Sequence, residues 1–80
     1  MHELGILRQI VKIVEQTAVK NGIEHVRNIT LEIGRDSEVV PHYMMKLFPV
    51  AADALPRLKN TELQIRMVRG CDLVIKDIRY

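Results

Sequence analysis

The chain has a single cysteine, Cys71, among its eighty residues, so no disulfide can form within it. That usage suits a reducing cytoplasm, which is the compartment expected. Tryptophan is absent and aromatic residues make up only 4% of the chain. The core must therefore be built from Leu, Ile, Val and Met, and few rings are present on which nucleobases could stack. The formal charge of +2 is small and evenly spread, so nucleic acid is not an expected partner. Charged residues interrupt every apolar stretch well short of the roughly 18 residues of a membrane span. The first residues lack the basic start and apolar run of a secretory signal, and Met1 is read as the mature terminus. No nucleophile–base pair, phosphate loop or paired-carboxylate constellation occurs, so no enzyme is expected. Eighty residues make one domain, small enough that a metal or a partner subunit is a common source of added stability.

What is present is patterned. Leu4, Leu7, Ile10, Val11, Val14 and Ala18 recur at helical spacing, which predicts an amphipathic helix over 4–20, stopped by Asn21-Gly22. Ile29, Leu31 and Ile33 alternate with polar residues and predict a strand over 26–33. Gly34 to Ser37 make a polar turn, and Pro41 opens a second helix over 42–54. Tyr43, Leu47 and Val50 or Ala51 are expected on its inner face, and Pro49 is expected to kink or break it. Leu63, Ile65 and Met67, then Leu73 and Ile75, predict two further strands, read as a hairpin around Arg69-Gly70. Ile78 and Tyr80 fall out of phase, and a β-bulge near Lys76-Asp77 would return them to the core face. The fold class is thus α+β, in the order α-β-α-β-β. A three-stranded mixed sheet carries both helices on one face, with a right-handed crossover between the parallel strands.

The chemically informative segment is Met1-His2-Glu3. A free amine on Met1, the backbone nitrogen of His2 and its imidazole Nδ1 close a five- and a six-membered chelate ring on one ion. Three coplanar nitrogens suit Ni(II) or Cu(II). The fourth position is open to the Glu3 backbone nitrogen, its carboxylate, water or another side chain. Binding displaces protons, so affinity falls as pH drops. A histidine at position 2 is more commonly part of a frayed terminus; the helix that follows at once is what holds this one. Glu3 also has a plainer role, since an acidic residue in a first turn is favoured by the helix dipole. His25 and His42 read as solvated surface residues, and Met44 and Met45 as core and neighbouring surface.

Three stretches, MHELGIL at the start, LEIGRDSEVVPHYM over 31–44 and DLVIKDIRY over 72–80, together resemble the HypA/HybF family of nickel-incorporation proteins. These act in maturation of [NiFe]-hydrogenases and, in some bacteria, urease. The resemblance spans nearly the whole chain. It implies nickel ligation by Met1, His2 and the region of Glu3, a nickel-handling GTPase as partner, and docking onto an apo nickel-enzyme subunit. It also implies the same element order that the periodicity gives. Family members usually carry a zinc domain of two CxxC pairs between the last two strands. Here a short turn near 69–71 stands in its place and Cys71 is alone, so no zinc is expected. Some relatives carry an acidic residue near the nickel site where this chain has Val40, which removes one candidate carboxylate ligand. Pro49 could act as a hinge for exchange between the subunits of a homodimer. The competing reading is a metal-free interaction or regulatory module that kept the fold and lost the chaperone role.

Overall fold

The structure, a computed structural model, describes residues 2–80. The order of elements is α1 (Glu3–Lys20), β1 (Asn28–Gly34), α2 (Pro41–Ala52), a 3-10 turn (Pro56–Leu58), β2 (Glu62–Val68) and β3 (Leu73–Arg79). α1 forms where the apolar period asks for it. Leu7, Ile10, Val11, Val14 and Ala18 are buried along it, with Leu4 packed at the margin of the same core. It stops at Asn21-Gly22 in a Schellman arrangement. The Gly22 amide donates to the Val19 carbonyl and the Ile23 amide to that of Ala18, with Gly22 at φ +68.

β1 lies at the centre of the sheet, whose order is β2-β1-β3. It pairs parallel with β2 and antiparallel with β3. Ile29, Leu31 and Ile33 are fully buried on its helix side. Asn28, Thr30 and Glu32 alternate onto the opposite, more exposed face. α2, reached through the Gly34–Ser37 turn, carries the chain back so that β2 can run parallel to β1. Met44 and Phe48 of α2 and Leu58 of the 3-10 turn close the core against α1 and β1. Arg57 ties that turn to α1, with Nη1 3.0 Å from Glu15 Oε1 and Nε donating to the Ile23 carbonyl.

Three expectations need correction. The last two strands are not a hairpin, because β1 lies between them and the four residues Arg69 to Asp72 cross over its end. The most completely buried strand takes the centre, and both later strands bond to it. Met67, Ile65, Leu73 and Ile75 do share the core side, but across β1, opposite Ile33 and Leu31. The crossing runs tightly over Gly34. The Gly34 amide donates to the Asp72 carbonyl and the Asp36 amide to that of Gly70. A Cβ on Gly34 would overlap the Gly70 carbonyl, so the position admits only glycine without backbone movement.

The second correction concerns the face of α2. Met44, Phe48, Ala51 and Ala52 point inward, Leu47 is half-buried, and Tyr43 and Val50 are exposed. Third, Pro49 does not break the helix, which continues to Ala52. Pro49 lies in its last turn, where few bonds remain to be lost, and its ring is exposed. The β-bulge is present: Thr30 pairs with Asp77 and Leu31 with Ile75, leaving Lys76 as the extra residue. It returns Ile78 to the side of Ile75, opposite Ile29, but Tyr80, expected on the core face with it, follows the end of β3 and is 56% exposed.

Candidate metal centre

His2 is the N-cap of α1, and its carbonyl accepts the first helical bond, from the Ile6 amide at 3.1 Å. Its side chain is exposed and lies beside Gly5. The next residue is fixed. Glu3 is only 6% exposed, and its Oε2 accepts from the Val40 amide at 3.1 Å. Val40 is the N-cap of α2 and has no side-chain oxygen with which to cap. Glu3 thus does from another helix what the carboxylate of a capping box does from within one: it accepts the N-cap amide.

The positive ends of both helices converge on this carboxylate. The Val40 bond, first, and then the amide of Glu3 itself and the nearby His2 imidazole hold the Glu3 carboxyl below its ordinary range, against partial desolvation. The consequence for His2 is mechanical. The exposed imidazole sits on a helix end whose next residue is clamped to α2, so it is presented to solvent from a defined place.

Of the three residues singled out from the sequence, His2 and Glu3 are adjacent at this helix start, and Met1 lies outside the described residues. Among the described residues, no three His, Cys, Asp or Glu side chains gather as a metal cage. Glu3 has one carboxylate oxygen committed to Val40, and its side chain acts first as a structural clamp.

His25 is exposed and donates from Nε2 to the Lys59 carbonyl at 2.9 Å. His42 is exposed on the first turn of α2, with its ring 5.9 Å from that of Tyr43. Cys71 is exposed in the crossing between β2 and β3. Met44 is buried and Met45 is 48% exposed, the core and neighbouring-surface positions expected of them. Sequence reasoning missed Val40 as the partner of Glu3. The only hint was an acidic residue at the start of one helix and an uncappable valine before the proline of another.

The chain is similar to known proteins throughout. Residues 1–75 match the family described as "Hydrogenase/urease nickel incorporation, metallochaperone, hypA". The hydrogenase maturation factor HypA of Roseiflexus sp. (strain RS-1) is 36% identical over 88 aligned positions, covering all of this chain and 71% of that protein. The HypA of Moorella thermoacetica is 30% identical over 77, covering 89% of this chain and 67% of the relative. The solution structure of the Ni metallochaperone HypA from Helicobacter pylori superposes with a TM-score of 0.80 over 96% of this chain and 72% of that one. At 17% identity that likeness shows a shared fold.

The class is therefore that of metallochaperones, which carry a metal ion and are not enzymes. Within it, this chain belongs to the HypA family.

Proposed function

We propose that the chain binds one Ni(II) at its N-terminus and hands it on by ligand exchange during maturation of a nickel enzyme, foremost a [NiFe]-hydrogenase. The Met1 amine, the His2 amide nitrogen and His2 Nδ1 supply three nitrogens in one plane, and the region of Glu3 supplies the fourth donor. The observation that carries this reading is the Glu3–Val40 clamp. It gives an otherwise solvated histidine a fixed platform while leaving its imidazole open to solvent and to a partner. A terminal site suits transfer, because a recipient can replace its ligands one at a time. The relatives named as hydrogenase maturation factors support hydrogenase as the client.

The same reading places the chain in the cytoplasm, with a nickel-handling GTPase and an apo nickel-enzyme subunit as partners. No helix among the described residues is long and apolar enough to cross a membrane. It also treats residues 1–80 as one nickel-type domain without a zinc domain. Support comes from the direct four-residue crossing from Val68 to Leu73 and from Cys71 as the only cysteine. One thiolate falls short of the four ligands of a structural zinc site.

The test is calorimetric titration of Ni(II) into untagged protein that retains its free amine, beside His2→Ala. The expected result is one ion per chain for the native sequence and no measurable binding for the variant. Equal binding by both, or binding by neither, removes the His2 site; binding by neither leaves the metal-free interaction module as the surviving account. Copper(II) run in parallel compares the two metals, since copper is intrinsically the tighter binder of nitrogen sites.

A further inference from the structure

The two outer strands of the sheet are not equivalent. β3 carries the Lys76 bulge on its only pairing, and bulges are a common device for making an edge unsuitable for further pairing. β2 pairs with β1 in unbroken register over all seven residues, without proline or bulge. The direction of its free groups follows from two bonds. The Glu62 amide donates to the Arg27 carbonyl, and the Val68 carbonyl accepts from the Arg35 amide. Even-numbered residues of β2 therefore turn their backbone groups toward β1, and Leu63, Ile65 and Met67 turn theirs outward. Beside this edge, two contiguous grooves of about 650 and 350 Å3 run beneath α2, both lined by Met45 and Leu63. Met45 and Met67 are 48% and 39% exposed there.

The residues facing away from the core read Glu62, Gln64, Arg66, and all three are exposed. That order is its own complement when reversed: acid, amide, base against base, amide, acid. We propose that the free edge of β2 is the meeting surface of two copies of this chain, paired antiparallel about a two-fold axis at Gln64. Glu62 of each copy then faces Arg66 of the other. Leu63 faces Ile65 of the other copy, and because both are outward-facing residues they exchange backbone hydrogen bonds. The charged pairs fall at the non-hydrogen-bonded positions, where side chains approach most closely. The two sheets join into one of six strands, and Met45 and Met67 of both copies cover each other across the axis. A slip of the pairing to Ile65 at the axis keeps the backbone bonds but sets Glu62 against Val68, so the charge pattern selects the first register. Among the described residues of its own chain, the ion-pair partner of Arg66 is a distant one, Glu32, at 4.0 Å. An isologous interface of this kind is the commonest route to a closed dimer.

The test is sedimentation of the full chain with a chelator present, which removes any metal-bridged association and keeps the outcome separate from the nickel reading. The concentration series should reach about 1 mM, since one strand and a groove make an interface at the small end of the range. The expected result is reversible doubling of the 9.2 kDa mass. Glu62→Arg and Arg66→Glu should each weaken self-association about tenfold or more, because each sets like charges face to face twice per dimer. An equimolar mixture of the two should restore association, because every facing pair is then opposite in sign. Gln64→Lys, which meets itself on the axis, provides a third variant should a reversal fail to fold. A chain that stays monomeric throughout overturns the proposal. So does a dimer that these substitutions leave unchanged, or a mixture that associates no better than its components.

Discussion

Glu3 Oε2 accepts the amide of Val40, 37 residues away in the chain, and so joins the start of α1 to the start of α2. The two helices pack along their lengths through the common core. This one bond fixes their N-terminal ends relative to each other. The candidate nickel ligand His2 is the residue immediately before the clamp.

The bond makes part of the stability depend on pH. The carboxyl of Glu3 is held below its ordinary value near 4.5, chiefly by the Val40 amide. A group depressed in the folded state contributes stability that is fully present above the unfolded value. That stability is lost as pH falls through the lower, folded value. Glu3→Gln keeps an acceptor oxygen but does not titrate. Thermal melts from pH 7 to pH 3 should show the native chain more stable at neutral pH, with the difference shrinking as pH falls below about 4.5. Parallel curves across the whole range would mean that the carboxylate is not held in its charged form by Val40.

The same clamp should set nickel affinity without supplying the metal contact. In Glu3→Ala the imidazole and amide of His2 remain, but the platform is loosened. Supports one step behind a ligand typically alter affinity by about 10–100-fold. The expected order in a nickel titration is native tightest, Glu3→Ala weaker by about tenfold, His2→Ala without binding. If Glu3→Ala abolishes binding as completely as His2→Ala, the Glu3 side chain is itself a ligand. If it binds as the native chain does, the terminus needs no platform.

Gly34 sits where the crossing from β2 to β3 rests on the end of β1. A methyl group there meets the Gly70 carbonyl, which is main chain and held by the Asp36 amide. Gly34→Ala should cost about 1–3 kcal/mol in denaturant unfolding, the usual range for forcing atoms into a filled space. A Gly34→Ala chain as stable as the native one would show that the crossing is free to lift away.

These positions also show what the sequence carries and what it does not. α1 was legible because one clean apolar stripe and one Asn-Gly stop admit a single reading. β1 was legible because strict alternation fixes which face is buried. The bulge at Lys76 was legible because a slip in a period of two has one simple repair. The face of α2 was not. Tyr43, Met44, Met45, Leu47, Phe48 and Val50 put apolar atoms around the whole helix, and only packing into the common core turns Met44 inward. The strand order was not, because neighbours in sequence suggest a hairpin, while the long-range preference of both strands for β1 decides otherwise. The Glu3–Val40 bond lay beyond any local pattern. His2 stood out in the sequence for the chelation its atoms would allow, but the clamp beside it did not stand out.

The contrast within α2 can be measured directly. Met44 is fully buried and Tyr43, its neighbour, is 51% exposed. Met44→Ala should cost about 2–5 kcal/mol through lost burial and the cavity left behind. Tyr43→Ala should fall within about 0.5 kcal/mol, as exposed positions do. Equal losses would restore the inward Tyr43 that the sequence pattern favoured.

Pro49 offers the converse experiment. It lacks the amide that would bond to the Met45 carbonyl, yet the helix passes through it and the Asp53 amide still reaches the Pro49 carbonyl. The ring is exposed, so its replacement leaves no cavity. Pro49→Ala regains one helical hydrogen bond and a residue of the highest helix propensity, against the stiffness that proline gives the unfolded chain. The expected net effect is stabilisation by about 1–2 kcal/mol, less than the roughly 3 kcal/mol of a proline in mid-helix because the last turn has fewer bonds to recover. Denaturant melts give the sign. Sedimentation of the same variant separates two uses of the residue. If Pro49 is a hinge for exchanging elements between subunits, replacing it should abolish association. If association runs along β2, the dimer should persist, because Pro49 contributes no backbone group to that edge and only lines the smaller groove beside it.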